Sequence, residues 1–317
     1  MRGVREERGF ALVVVILILL MVSFLAAELT LGVRSETSSG FNERQQVVGR
    51  TLAQAGINLA LFHLLDEPVD GGGEGASFEQ GESQDVWLAQ GRVRYQVVSE
   101  AGKMDLNNVD PRLLSLLLEY FGYSEEEADI VNDSLLDWRD NDDLHRLNGA
   151  ESEYYAELAE PYQARNGKIM DANEFFLLKG TAKLATRMRA ADIFTVHNRK
   201  KRLAFNDLTP AMLAFLTGGD EESMALYHDL RQEEGLLDAA GAMLVLGEER
   251  FGMFKPYLSY GKGSGTFYSI VATGFAGESK DDETAQPDRP SPGSRVSVLL
   301  EKRGRQIFYR GWQEEWS

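Results

Sequence analysis

The pattern of apolar and polar positions first predicts a long helix near the amino terminus. The eighteen residues from 10 to 27 carry no charge, and Ser23 is the only polar side chain among them. At about 1.5 Å per residue they form a helix of about 27 Å, which is close to the hydrocarbon thickness of a membrane. Arg2, Arg5 and Arg8 precede this stretch and predict a cytoplasmic amino terminus, with the bulk of the chain on the other side.

The helix is predicted to continue beyond the membrane. Apolar residues recur at helical spacing and no proline occurs before Pro68, so we expect one helix from about Phe10 to Leu65. Its second half is amphipathic. The apolar positions that mark this stripe are Val47, Leu52, Ile57, Leu61 and Leu64.

Alternating patterns predict strands on both sides of a helical region. Val93, Tyr95 and Val97 alternate with polar residues, and later strand patterns lie at 266–275, 295–302 and 305–312. Between them, NNVDPRLL at 107–114 matches NDLTPAML at 206–213. Each places an N-capping side chain before a proline, which predicts two similar helical hairpins.

These elements predict an α+β fold class. We expect a long amino-terminal helix packed on an antiparallel sheet, with a large all-α domain of two helical hairpin repeats inserted in the sheet.

Charge and composition exclude several functions. The net charge of −17 argues against nucleic-acid binding, which needs clustered basic residues. The chain has no cysteine, so disulfides, thiolate zinc sites and cysteine nucleophiles are excluded. No constellation of histidine, serine and carboxylate residues indicates catalysis, so we predict that the protein is not an enzyme.

An acidic segment is the main candidate for site chemistry. Its carboxylates are Asp137, Asp140, Asp142, Asp143, Glu151 and Glu153. Calcium binds six to eight such oxygens, and crowded carboxylates repel one another without a cation. The spacing is not that of an EF-hand, because Leu144 and His145 stand where that loop needs an oxygen ligand and a glycine. A calcium site and a solvated acidic loop both remain open on the residues alone.

The leader and the internal motifs resemble a known family. RGF before an apolar helix resembles the leader of type IV pilins and pseudopilins, which a prepilin peptidase cuts between the glycine and the phenylalanine, here Gly9 and Phe10. LLDWRDNDDL, NGAESEYY and NEFFLLKGT resemble stretches of the minor pseudopilin K family of type II secretion. Most pilins have a glutamate at the fifth mature position. This chain has Val14 at that position, and in this it resembles pseudopilin K, which also lacks the glutamate.

The resemblance implies a division of the chain and a structural role. The divisions are a leader at 1–9, a transmembrane and amphipathic helix at 10–67, a pilin-like part at 68–107, an inserted helical domain at 108–262 and a second pilin-like part at 263–317. The implied function is the tip subunit of the pseudopilus, which starts filament assembly for protein export across the outer membrane. The implied location is the inner membrane, single-pass, with the bulk in the periplasm.

The resemblance also implies partners and a metal. The expected partners are two other minor pseudopilins in a tip heterotrimer, the major pseudopilin, the prepilin peptidase and the inner-membrane assembly platform. We expect the stripe from Val47 to Leu64 to pack against the two minor pseudopilins. The family further implies one or two calcium ions in the acidic segment, with Asp140, Asp142 and Glu151 as the first candidates, and methylation of the mature amino terminus.

Two alternatives stay open at this point. FLAAELT after the apolar run offers a weak signal-peptidase site, which would make the run a cleaved signal peptide. The second alternative is an uncleaved, membrane-anchored periplasmic calcium-binding or receptor protein outside any filament.

Overall fold

The fold was examined in a computed structural model that describes residues 7–66, 81–198, 200–261, 266–278 and 293–315. Within the first helix, side chains are described for 12–25, 28 and 40–65. The helices are α1 Glu7–Asp66, α2 Pro111–Tyr120, α3 Glu125–Arg139, α4 Ser152–Ala156, α5 Ala190–Ile193, α6 Pro210–Thr217, α7 Glu221–Glu234 and α8 Ala239–Phe254. The strands are β1 Ser83–Leu88, β2 Gly91–Ser99, β3 Met104–Asp105, β4 Phe194–Thr195, β5 Leu203–Ala204, β6 Leu258–Ser259, β7 Phe267–Ala276, β8 Ser294–Arg303 and β9 Gln306–Glu315.

The helix starts in the inserted region follow the predicted capping pattern. Asp110 accepts a hydrogen bond from the backbone amide of Arg112, with Pro111 at the first helical position of α2. Thr209 does the same at α6, where it accepts from Met212 and precedes Pro210. These caps satisfy amides that a helix start otherwise leaves without a partner.

The main sheet is antiparallel, in the order β1-β2-β7-β8-β9. The mixed helix-and-sheet fold class is therefore confirmed. Strands β2 and β7 are hydrogen-bonded neighbours from Gly91↔Ala276 to Ser99↔Tyr268, yet all the helices from α2 to α8 lie between them in the chain. The helical region is thus inserted between two adjacent strands. Strand β2 ends where the chain enters this region, and strand β7 begins after the chain leaves it.

The second half of α1 packs on this sheet and builds its hydrophobic core. The fully buried side chains contributed by the helix are Leu52, Ala53, Ile57, Ala60 and Leu64. They meet Val93, Tyr95 and Ile270 from the sheet. The sheet also binds polar groups of the helix, since Ser294 donates to the carbonyl of Gln46 (3.1 Å) and Lys302 donates to the carbonyl of Leu64 (2.7 Å).

This packing corrects the predicted partner surface. Leu52, Ile57 and Leu64 are 4%, 1% and 7% exposed beneath the chain's own sheet, and Leu61 is partly buried against the same core. They are unavailable to another protein in this fold. Val47 alone among the five is exposed, at 60%. Periodicity identified a buried face correctly, but it carries no information on whether the covering surface belongs to the same chain.

Glycines let the helix approach the sheet closely. A Cβ atom on Gly56 would lie 2.6 Å from a methyl group of Val93 and 3.0 Å from the Cβ of Ala272. One on Gly274 of β7 would lie 2.0 Å from the carbonyl oxygen of Gly49. Such distances exclude side chains at both positions unless the helix and the sheet separate.

A second hydrophobic core lies in the inserted region, and a buried polar layer stands between the two cores. At the end of β2, Glu100 accepts hydrogen bonds from Lys103 (2.7 Å) and from Ser269 of β7 (2.6 Å). Glu100 and Lys103 are both 4% exposed. Ser99 donates to Asp207, which follows β5 in the inserted region (3.2 Å). This layer joins the sheet to the insert through directional contacts.

We predict that Gly56→Ala destabilises the protein by about 1–3 kcal/mol, because the added methyl group overpacks the helix–sheet interface. Gly40→Ala is the matched control in the same helix, since nothing lies within 4 Å of a Cβ there. It should be neutral or stabilising by up to about 1 kcal/mol through helix propensity. Urea unfolding of the full chain in detergent measures both. Equal midpoints for the two variants would contradict the close approach at Gly56.

Candidate functional site

The acidic segment forms a loop between α3 and α4 that folds back over a buried carboxylate. Asp137 is fully buried in the last turn of α3 and accepts hydrogen bonds from the backbone amide (3.0 Å) and the Nη1 atom (2.5 Å) of Arg146. Gly149 passes so close that a Cβ there would lie 1.8 Å from Asp137 Oδ2. Asp137 is therefore a structural centre of the loop, with both oxygens engaged by the protein.

Arg146 is the residue that sequence reasoning missed. The same Nη1 atom also contacts Asp140 Oδ2 at 2.7 Å, so one guanidinium is shared by two carboxylates and offsets part of their charge. The expectation that these acids repel one another without an external cation is corrected for Asp137 and Asp140. An arginine within a run of aspartates was the available signal, since an ion pair across a short loop is an obvious alternative to a metal.

The remaining predicted ligands occupy different environments. Asp142 accepts from the amide of Leu144 (3.0 Å), and Asp143 accepts from the side-chain amide of Asn166 (2.8 Å). Glu153 is exposed in the first turn of α4. Only Glu151 combines burial with an acidic carboxyl group that has no protein partner.

Several buried oxygen atoms of Glu151, Asp140 and Asn166 have no hydrogen-bond partner in the described part of the chain. They are both carboxylate oxygens of Glu151, Oδ1 of Asp140 and Oδ1 of Asn166. Burial, together with the smaller effects of the charges of Asp137, Asp140, Asp143 and Asp142, raises the pKa of Glu151 to about 7. Buried hydrogen-bond acceptors without donors are rare in folded proteins. A bound cation or a proton would therefore stabilise these oxygens.

The side chains of the acidic loop do not form a complete metal-binding site by themselves. Across the described ranges, no three histidine, aspartate or glutamate side chains converge closely enough to hold a metal ion by themselves. The unpartnered oxygens of Asp140 and Glu151 fit a hard cation chemically, and the amide oxygen of Asn166 is a further donor of the same kind. The sequence did not indicate Asn166, which reaches the loop from beyond α4.

The predicted cleavage site lies near the start of α1. Gly9 and Phe10 are helical, but their side chains fall outside the described residues. From Leu12 to Leu25 every side chain is exposed, including Val14 at 39%. In the described portion of the chain, no helix combines the length and the apolar character required for a membrane span.

The solvent side of α1 carries a second, narrower seam in which four of the six residues are apolar. Its members, spaced by three or four residues, are Val47, Thr51, Ala55, Asn58, Phe62 and Leu65. Phe62 is 61% exposed and Leu65 is 41% exposed. We call this set the outer seam. It lies on the face of the helix opposite the sheet-packed residues Ala53, Gly56 and Ala60, and its spacing is typical of a helix that packs against another helix.

Comparison with known proteins bears directly on the acidic loop. Residues 96–190 match the family model for type II secretion system (T2SS), protein K. The matched range contains α2, α3, the whole acidic loop and α4. The predicted resemblance to the type II secretion system protein K family is confirmed. The internal motifs LLDWRDNDDL, NGAESEYY and NEFFLLKGT all lie within the matched range.

Two relatives extend the comparison over nearly the whole chain. A type II secretion system protein K of Escherichia coli (strain K12) is 24% identical over 302 residues, which cover 89% of this chain and 91% of the relative. The fold is similar to a chain in the crystal structure of the GspK-GspI-GspJ complex from the enterotoxigenic Escherichia coli type 2 secretion system. That match has a TM-score of 0.55 at 14% identity and covers 90% of this chain and 100% of the other.

We predict that Glu151 makes the stability of the protein depend on pH in the absence of divalent cations. Its folded pKa of about 7 exceeds the ordinary value of 4.5, so the folded state binds the proton more tightly than the unfolded state. The free energy of unfolding should therefore fall as pH rises from about 4.5 to about 7. Glu151→Gln should flatten this dependence, while the exposed neighbour change Glu153→Gln should leave it in place. Urea midpoints in chelator at several pH values measure the difference, and identical profiles for both variants would contradict the assignment.

Proposed function

We propose that this chain is a minor pseudopilin at the tip of the type II secretion pseudopilus, where it starts filament assembly with two other minor pseudopilins and supports protein export across the outer membrane. The observation that carries the proposal is an unpartnered outer seam on a long amino-terminal helix in a chain that resembles the protein K family. The similar fold in a complex with two further proteins, GspI and GspJ, supports a three-subunit assembly. The proposed role is structural and not catalytic.

The proposed anchor and maturation site are at the start of α1. Described apolar side chains from Leu12 to Leu25 are exposed on all sides of the helix, which suits contact with lipid before assembly. In the proposal the prepilin peptidase cuts between Gly9 and Phe10, and the protein sits in the inner membrane with its bulk in the periplasm. The assembly platform and the major pseudopilin are further proposed partners.

Val14 supports a position at the tip. A pilin glutamate at this place neutralises the amino-terminal charge of a neighbouring subunit, because an unpaired charge in lipid is costly. A subunit with valine here lacks that means of pairing. The end of the filament is the place where such a neighbour is not required.

The outer seam replaces the predicted stripe as the proposed partner surface. Thr51 and Ala55 are small and sit in the middle of the seam, while Val47, Phe62 and Leu65 supply apolar side chains at its ends. This arrangement lets a partner helix come close at the centre and bury apolar groups on either side.

We also propose that the acidic loop binds calcium. Glu151, Asp140 and Asn166 provide unpartnered buried oxygens, and Asp142 and Asp143 stand beside them in the same loop. Arg146 already serves Asp137, so that residue is removed from the proposed ligands. Calcium would fix the loop between α3 and α4. The Glu151→Gln and Glu153→Gln pair tests this as well, since calcium should raise the urea midpoint only where Glu151 is present.

We predict that processing yields a chain that begins at Phe10. The full chain is expressed with an active prepilin peptidase or with an inactive peptidase as the control, and the mature mass is determined by intact-protein mass spectrometry. A methylated Phe10 terminus supports the filament role. A chain that still begins at Met1 in both samples would instead support the alternative of an uncleaved, anchored calcium-binding or receptor protein.

We predict that Phe62→Glu weakens binding to the two minor pseudopilins by at least about thirtyfold, as expected when an apolar contact worth about 2 kcal/mol is lost. Leu244→Glu in α8 is the matched control, because this leucine is 67% exposed and lies in the insert. Co-purification and affinity measurements compare the two, and the urea midpoint of each variant checks its folding. Equal affinity in a folded Phe62→Glu protein would show that the outer seam is not the partner surface.

A further inference from the structure

A basic cluster interrupts this strongly acidic chain. The sequence reads Arg-Lys-Lys-Arg at 199–202 in a protein of net charge −17. The structure describes Lys200, Lys201 and Arg202, and all three are exposed immediately before β5. Consecutive cations concentrate positive potential locally, so they define a place where an anion is favoured on an otherwise repelling surface.

The cluster borders a cavity of about 360 Å³. Its base is the two-stranded parallel pairing of β5 with β6, in which Leu203 faces Leu258 and Ser259 donates to the carbonyl of Leu203 (3.1 Å). No acidic residue is found among the described residues that line it. The lining residues are Lys200, Lys201, Arg202, Ala204, Ser259, Tyr260 and Gly261.

A buried hydroxyl group of the cavity lining has no protein partner. Tyr260 Oη is inaccessible to solvent and makes no hydrogen bond within the described residues. The ring is held in place by Phe205, whose centroid is 6.1 Å away. Burial raises the pKa of Tyr260 and the Arg202 charge opposes that rise, so the phenol remains a proton donor at neutral pH next to a cation. A buried donor without an acceptor is destabilising, and a ligand oxygen that reaches it would remove that cost.

The chemistry of these groups selects the class of ligand. Ammonium, guanidinium and phenol groups are all donors, and two or more cations together suit a phosphate group better than a single carboxylate. The cavity volume falls in the range of about 300–1,000 Å³ typical of small-ligand pockets, so it can hold a phosphate with an attached organic group. We propose that this cavity is a binding site for a phosphate group, either free or as part of a lipid headgroup.

The cavity is separate from the acidic loop and from the outer seam. Strand β5 packs against the turn Glu100–Gly102, where the buried polar layer joins the insert to the sheet. Gly102 approaches the backbone carbonyl of Asp207 so closely that a Cβ there would lie 1.8 Å away. A ligand in the cavity would therefore bind beside the joint between the two cores, independently of the proposed pseudopilin function.

The test uses isothermal titration of the full chain in a phosphate-free maltoside detergent at about 0.15 M salt. One titrant is inorganic phosphate, and the other is glycerophosphoglycerol, the soluble headgroup of phosphatidylglycerol. Saturable binding of inorganic phosphate identifies a site for free phosphate. Binding of glycerophosphoglycerol alone identifies a headgroup site. The absence of binding by both ligands overturns the proposal.

Variants locate the site. The double change Lys201→Gln with Arg202→Gln should reduce affinity at least tenfold, and Tyr260→Phe should reduce it severalfold without any change of charge. Arg305→Gln is the control, since this arginine is exposed in the turn between β8 and β9. Urea midpoints confirm that the variants are folded. Equal loss in Arg305→Gln, or no loss in the double variant, would assign the binding to general electrostatics and overturn the proposal.

Discussion

The close approach of α1 to the sheet at Gly49, Gly56 and Gly274 is the contact on which the rest of the structure depends. Because backbone atoms nearly touch there, one face of the helix is sealed against β2, β7 and β8 and the opposite face is turned outward. The outer seam exists as a continuous exposed surface because this packing fixes the rotation of the helix about its axis. Intramolecular packing therefore decides which residues of the helix remain available for assembly.

The buried polar layer explains how a large insert is held by a small sheet. Apolar packing alone lets the sheet and the insert slide past each other. The Glu100–Lys103 ion pair and the Ser99–Asp207 hydrogen bond are directional, so rotation of the insert relative to the sheet would break them. Burial opposes ionisation of Glu100, but Lys103 and the hydroxyl group of Ser269 lower its pKa overall. Since Glu100 stays ionised across the neutral range, the hydrogen bonds that it accepts from Lys103 and Ser269 hold the joint in one geometry.

Local chemistry predicted much of this fold, and contacts between distant residues account for what it missed. Asp110 and Thr209 cap their helices as expected, because a cap depends on a few adjacent residues. The strand patterns at Val93, Tyr95 and Val97 correspond to buried positions for the same reason. Which surface covers Leu52 depends instead on strands β2 and β7, which are distant from it in the sequence. Asn166 and Tyr260 likewise gain their roles from folding, with no distinctive spacing in the sequence.

The acidic loop shows why a list of carboxylates is a poor guide to a metal site. Arg146 binds Asp137 and Asp140 with hydrogen bonds that a calcium ion cannot supply, so part of the negative charge is neutralised within the chain. What remains is the set of acceptors that Arg146 does not reach. A single guanidinium directed at Asp137 and Asp140 leaves both oxygens of Glu151 without a donor among the described residues. The division of the loop into a satisfied half and an unsatisfied half supports a cation at Glu151 more strongly than the number of acidic residues does.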